Sequence, residues 1–139
     1  MRISTAARNA ACDGVVDLTE VGAGTAVLEL YTGSAPATFG DAPAGTKLVS
    51  FDLPDPAFDA AGTGGDGVAT LNGVPISGTG LAAGTAAYGR LVNQNGDAVF
   101  DTEDVGTSGN VITMSTTTVS VGLSVSLTAA TVTMPAGSV

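Results

Sequence analysis

The residues of this chain that could do chemistry are mostly carboxylates, and its 139 residues include no histidine. That removes Ser-His-Asp and Cys-His constellations and every His-based metal site. One cysteine, Cys12, cannot build a thiolate zinc or iron–sulfur site within one chain, nor a disulfide. The sole lysine, Lys47, lies in a strand-like stretch and nothing nearby supports a Ser-Lys dyad. Asn93, Asn95, Asp97, Asp101 and Asp104 have the spacing of ligands in a calcium loop. However, the glycine that loop needs is Ala98, and the closing ligand is Asp rather than a bidentate Glu. A hairpin explains the same residues without a metal.

Gly62-Thr63-Gly64-Gly65-Asp66-Gly67 matches G-x-G-x-x-G. A dinucleotide site needs a strand before it and a helix after it. Here a proline-broken loop precedes and the strand-like GVATLN follows, so a glycine-rich turn is expected. Asp52, Asp55 and Asp59 form a second acidic group, read as a solvated loop. Paired carboxylates could cleave glycosides, but so few aromatics make a poor sugar platform. No catalytic, cofactor or metal residue is therefore assigned. Tyr88 and Arg90 fall on one face of a strand and, if exposed, are the kind of pair that anchors an interface. The other reading buries Tyr88 in the core with Arg90 at its edge.

Thirteen acids against four bases give a net charge of −9, which repels phosphate and anionic lipid. Nucleic acid and membrane surface are not expected partners. No apolar run reaches membrane-spanning length, and the N-terminus lacks the apolar stretch of a secretory signal. With no Trp, two Tyr, four Phe and twenty Gly, the core must come from small residues and the chain must turn often.

The elements follow from hydrophobic period. Residues 4–21 read as a helix capped by Ser4 and ended by Gly22 and Gly24. Ile3, Ala7, Ala10, Gly14, Leu18 and Val21 form its apolar stripe, and Thr5, Asn9, Asp13, Asp17 and Glu20 its wet face. Strands are expected at 25–32, 46–53, 67–72 and 111–114, with 73–84 left as loop. Residues 85–102 read as a hairpin turning at Asn95-Gly96. From Val119 apolar and small polar residues alternate strictly, then slip phase at Ala129-Ala130, where a bulge or bend is expected. Gly122 marks a turn, leaving Leu123 to Met134 as one bent strand. The fold class is mainly β: one domain over 1–139, an antiparallel jelly-roll-like β-sandwich at about 25–134 with one N-terminal helix.

Five segments, MRISTAARNAACDGVVD, LELYTGSAPA, DPAF, AVFDTEDVGTSG and the closing TVTMP, resemble small structural proteins of tailed bacteriophages, the capsid decoration (cement) proteins. The likeness covers nearly the whole chain and departs at 73–84 and in the first hairpin arm, where Tyr88 stands nearly alone as an aromatic. The resemblance implies a non-enzymatic virion protein without cofactors. It would be made in the bacterial cytoplasm and bound to the outer capsid surface, with the major capsid protein as partner. A homotrimer is expected from the three-fold positions of icosahedral shells. Its contact should be apolar, because chains of charge −9 repel. Arg2 and Arg8 are expected to face the capsid, and Tyr88 and Arg90 to serve as further interface residues. Two alternatives stay open: a tail or fibre-associated β-domain, and a calcium-dependent carbohydrate-binding sandwich.

Overall fold

Eleven strands, all but one of them short, and one helix make up the computed structural model, which describes residues 1–139. Helix α1 (Thr5–Val16) starts where expected, with the Ser4 hydroxyl accepting the Ala7 N–H at 3.2 Å. It tightens into a 3-10 turn over Asp17–Glu20. Gly22 then passes so close to the hairpin loop that a Cβ there would lie 2.4 Å from the Asn95 nitrogen.

The first sheet has the order β2-β1-β6-β7, all antiparallel: β1 is Val27–Tyr31, β2 Lys47–Asp52, β6 Tyr88–Val92 and β7 Ala98–Thr102. The second is built around the long strand β11 (Ser124–Thr133). On one edge β11 pairs first with β4 (Ile76–Thr79) and then with β3 (Val68–Thr70). On the other edge lies β9 (Ile112–Met114), with β8 (Val105–Gly106) beyond it. A two-residue ribbon, β5 (Gly84–Thr85) with β10 (Thr118–Val119), completes a β-sandwich-like fold.

The core lies between the sheets. Leu28, Leu30, Val49, Phe51 and Leu91 of the first sheet join Ile112, Met114, Val125, Leu127 and Ala130 of the second in one buried cluster. At Gly89 the layers pack closely: a Cβ there would lie 2.3 Å from Ile112 Cδ1.

Four expectations need correction. Residues 73–84 hold β4 and the first residue of β5, because their small side chains let the backbone lie against other layers; a Cβ at Gly78 would meet Val49 and Phe51 at under 3 Å. The pair β8–β9 is parallel, unlike the rest of the sandwich. The phase slip in β11 falls between Leu127 and Ala129, one residue early, and at this bulge β9 takes up its pairing. Gly122 does turn, with φ +80, so Val121 and Leu123 stay outside the strand and are 74% and 38% exposed.

The fourth correction is the helix, which is turned over. Cys12, Val16 and Thr19 are buried, while Ala7, Ala10, Gly14, Leu18 and Val21 face solvent. The inward side carries Asn9, Asp13 and Glu20, expected to be wet. Asn9 Oδ1 accepts the Gly67 N–H at 2.6 Å, Asp13 Oδ1 that of Ala61 at 2.7 Å, and Glu20 Oε1 that of Ala57 at 2.8 Å. Loop 54–67 has main-chain donors that no strand satisfies, and a buried unpaired N–H is costly. Alanine and glycine, by contrast, lose little by staying in water.

Candidate functional site

Every second residue of a strand shares a face, so Glu29 and Tyr31 of β1 share the outer face of the first sheet with Tyr88 and Arg90 of β6. Register sets them side by side, Glu29 against Arg90 and Tyr31 against Tyr88. The two tyrosine rings stack with centroids 5.1 Å apart and planes 12° from parallel. Arg90 sends Nε to Asp101 Oδ1 at 2.7 Å and Nη2 to Oδ2 at 2.8 Å, a two-pronged contact with β7. Its third bond, Nη1 to the Asp41 carbonyl at 2.8 Å, ties down the loop after β1. Glu29 receives the Tyr31 hydroxyl at 2.6 Å and the Lys47 ammonium at 2.5 Å.

Loop 33–45 thus lies over this face and leaves a cleft of about 390 Å³, lined by Glu29, Tyr31, Gly40, Pro43, Arg90 and Val92. Burial raises the pKa of both tyrosines; for Tyr31 the hydrogen bond to Glu29 adds to it. The Asp101 carboxylate holds the Arg90 guanidinium more firmly protonated than usual. The Tyr88 hydroxyl is buried without a hydrogen-bond partner. Each carboxylate here is engaged by a cation, so the group acts as a clamp between sheet and loop.

Of the four residues singled out from sequence, Tyr88 and Arg90 share one face of β6, whereas Arg8 and Arg2 lie by Met134 and Gly137. Tyr88 is fully buried and Arg90 is 5% exposed, so neither offers an outward-facing anchor. The reason is loop 33–45, whose folding back over β6 sequence alone does not reveal. Arg8 is also engaged within the chain: Nε donates to the Met134 carbonyl at 3.0 Å and Nη2 to that of Asp66 at 2.7 Å. Arg8 therefore staples helix α1 to the end of β11. Arg2 is exposed, bridges to Gly137 through its backbone only, and forms no ion pair.

The calcium-like spacing dissolves into separate tasks. Asn93 Oδ1 accepts the Asn95 and Asp97 N–H groups, both at 2.9 Å, and shapes the hairpin loop. Gly96 takes the positive φ (+92) and Asn95 does not. Asp101 holds Arg90, and Asp104 accepts the Asn110 amide at 2.7 Å and the Val111 N–H at 3.1 Å, which lowers its pKa. The glycine-rich stretch is a turn pinned against the helix by Asn9 and leads into β3.

Sequence reasoning missed a second feature, an apolar groove of about 250 Å³ on the helix side of the sandwich. Val15, Phe100, Val111, Val132 and Met134 line it, with Thr131 and Thr133. Its wall, β7, pairs with β6 alone, and no other main-chain bond reaches residues 98–102. The half-polar text AVFDT hides this: only the tertiary fold shows that one edge of β7 is open.

No helix is long and apolar enough to cross a membrane. No protein-family model matches the chain, and neither a curated protein nor a solved structure matches it.

Proposed function

We propose that this chain is a virion structural protein without enzymatic activity, a decoration protein that binds the outside of an icosahedral phage capsid and braces its major capsid subunits. The observation that carries the reading is the convergence of the phage-like segments. MRISTAARNAACDGVVD supplies α1, AVFDTEDVGTSG supplies β7 and β8, and TVTMP ends β11. More than a hundred residues separate the first from the last. Yet Arg8 and Cys12 of the first bond the Met134 and Val132 carbonyls of the last, and all three segments line the apolar groove. Three of the five segments that resemble the family therefore form one three-dimensional unit.

The reading includes a homotrimer. The uncharged contact that chains of −9 require is offered by Leu81, Val121 and Leu123. They stand on two turns held together by Gly80 N–H to Leu123 O at 2.8 Å and Gly122 N–H to Gly80 O at 2.9 Å. With Arg8, Lys47 and Arg90 engaged inside the chain, Arg2 is the one cation left to meet a capsid surface.

Stoichiometry tests the assignment. Quantitative mass spectrometry of purified particles should find hundreds of copies of the chain, whereas a few copies per particle would make it a tail component. Sedimentation should give a trimer, and a monomer both free and on particles would remove the trimer.

A further inference from the structure

We propose that the open edge of β7, together with the apolar groove beside it, receives an extended segment of a second polypeptide as an additional strand of the first sheet. The segment would alternate apolar and polar residues and carry lysine or arginine at its ends. This deepens the decoration reading by naming what the partner supplies, and rests on it only for the partner's identity.

Three observations converge on this edge. Natural sheets protect exposed edges with prolines, inward-pointing charges or covering loops. Residues 98–102 contain no proline, their one charge (Asp101) is bound by Arg90, and no loop hydrogen-bonds to their backbone; a bulge at Val99 interrupts the register, and Phe100–Thr102 beyond it pair regularly with β6. Secondly, Phe100 of β7 lines the groove across which Val15 of α1, Val132 of β11 and Met134 just after it also stand. A strand laid beside β7 extends the first sheet over this opening. Its alternate side chains point toward the groove and give it the apolar filling it lacks.

Thirdly, charge selects the occupant. Asp97 stands exposed before β7, and Glu103 and Asp104 stand exposed after it. A second copy of this chain fits poorly: laid antiparallel about Phe100, it sets Asp97 opposite Glu103, and like charges directly opposite destabilise a pair. A segment with cationic ends meets carboxylates at both ends instead.

The test uses the full-length protein and synthetic octapeptides. One is Lys-Val-Thr-Val-Thr-Val-Thr-Lys, the second has Glu at both ends, and the third is the first with alternate backbone nitrogens methylated. Binding is read by fluorescence polarisation, and its location by amide exchange of residues 98–102. The Lys-ended peptide should bind, slow exchange in β7 at least tenfold and weaken as salt is added. The Glu-ended and N-methylated peptides should each bind at least tenfold more weakly. Equal binding of the N-methylated peptide, protection confined to other strands, or no binding at millimolar peptide overturns the proposal. Copy number on particles is a separate measurement, so an edge that binds no peptide on a protein abundant in virions sinks this inference alone.

Discussion

Arg90 and Asp101 face each other across β6 and β7 with two parallel hydrogen bonds of 2.7 and 2.8 Å, their side chains only 7% and 9% exposed. Such a pair contributes little net stability over an apolar replacement, but losing one partner strands the other charge. Asp101→Ala should therefore cost about 3–5 kcal/mol in denaturant titration. The double variant Arg90→Met with Asp101→Leu should cost clearly less than that single change, even though it gives up the bond to the Asp41 carbonyl. A double variant as unstable as Asp101→Ala would mean that the loop tether, not the ion pair, dominates.

The neighbouring Tyr88 hydroxyl has no partner, and a buried unpaired donor costs about 1–3 kcal/mol. Tyr88→Phe should leave stability unchanged or raise it by up to that amount, while preserving the stack on Tyr31. A clear loss of stability would show that the hydroxyl is bonded after all.

Alkali should unfold the protein through these same tyrosines. Both pKa values are raised in the folded state, so the folded form holds its phenolic protons where the unfolded chain releases them. Their contribution is fully present below the free tyrosine value of about 10 and is lost as pH rises past it. Denaturation midpoints at increasing pH should fall beyond that point, and the fall should be shallower in Tyr31→Phe. Cys12 behaves in parallel: burial raises its thiol pKa and excludes reagent, so it should react with a thiol probe only after denaturation.

The orientation of α1 can be tested by opposing substitutions. Asp13→Ala removes the acceptor of the Ala61 N–H and should cost about 1–3 kcal/mol. Leu18→Lys on the outward face should change stability by no more than about 0.5 kcal/mol. The stripe read from sequence gives the opposite ranking, with Leu18 the costly site.

That reversal shows how far the sequence carries. Alternation from Val119 to Thr128, broken at Ala129-Ala130, marks β11 and a slip that the structure has one residue earlier, because a strand's period leaves little choice once one face is apolar. The hairpin of β6 and β7 was legible from its glycine turn. The helix face was not, because period separates two faces without saying which is inward. Here the deciding factor was a loop, 54–67, whose amides needed acceptors. The clamp at Arg90 was equally hidden. Tyr88 and Arg90 alternate in one strand and Glu29 and Tyr31 in another, but only the pairing of β1 with β6 makes one site of them.

Glycines separate conformational cost from packing necessity, and two of them should respond oppositely to alanine. Gly14 sits inside α1 with helical backbone, and a Cβ there would meet nothing within 4 Å. Gly14→Ala should raise stability by about 1 kcal/mol, the propensity difference between the two residues in a helix. Gly80 lies where the turn after β4 crosses the turn before β11, and a Cβ there would fall 2.0 Å from the Ser120 carbonyl oxygen. That atom is backbone, so Gly80→Ala must push the two turns apart, at about 1–3 kcal/mol for the overpacking and more if the Leu123 carbonyl loses its donor. Thermal melts of the two variants decide it. A destabilised Gly14→Ala would mean that some contact needs the bare backbone there, and an unchanged Gly80→Ala would mean that the turns do not cross as closely as the structure has them.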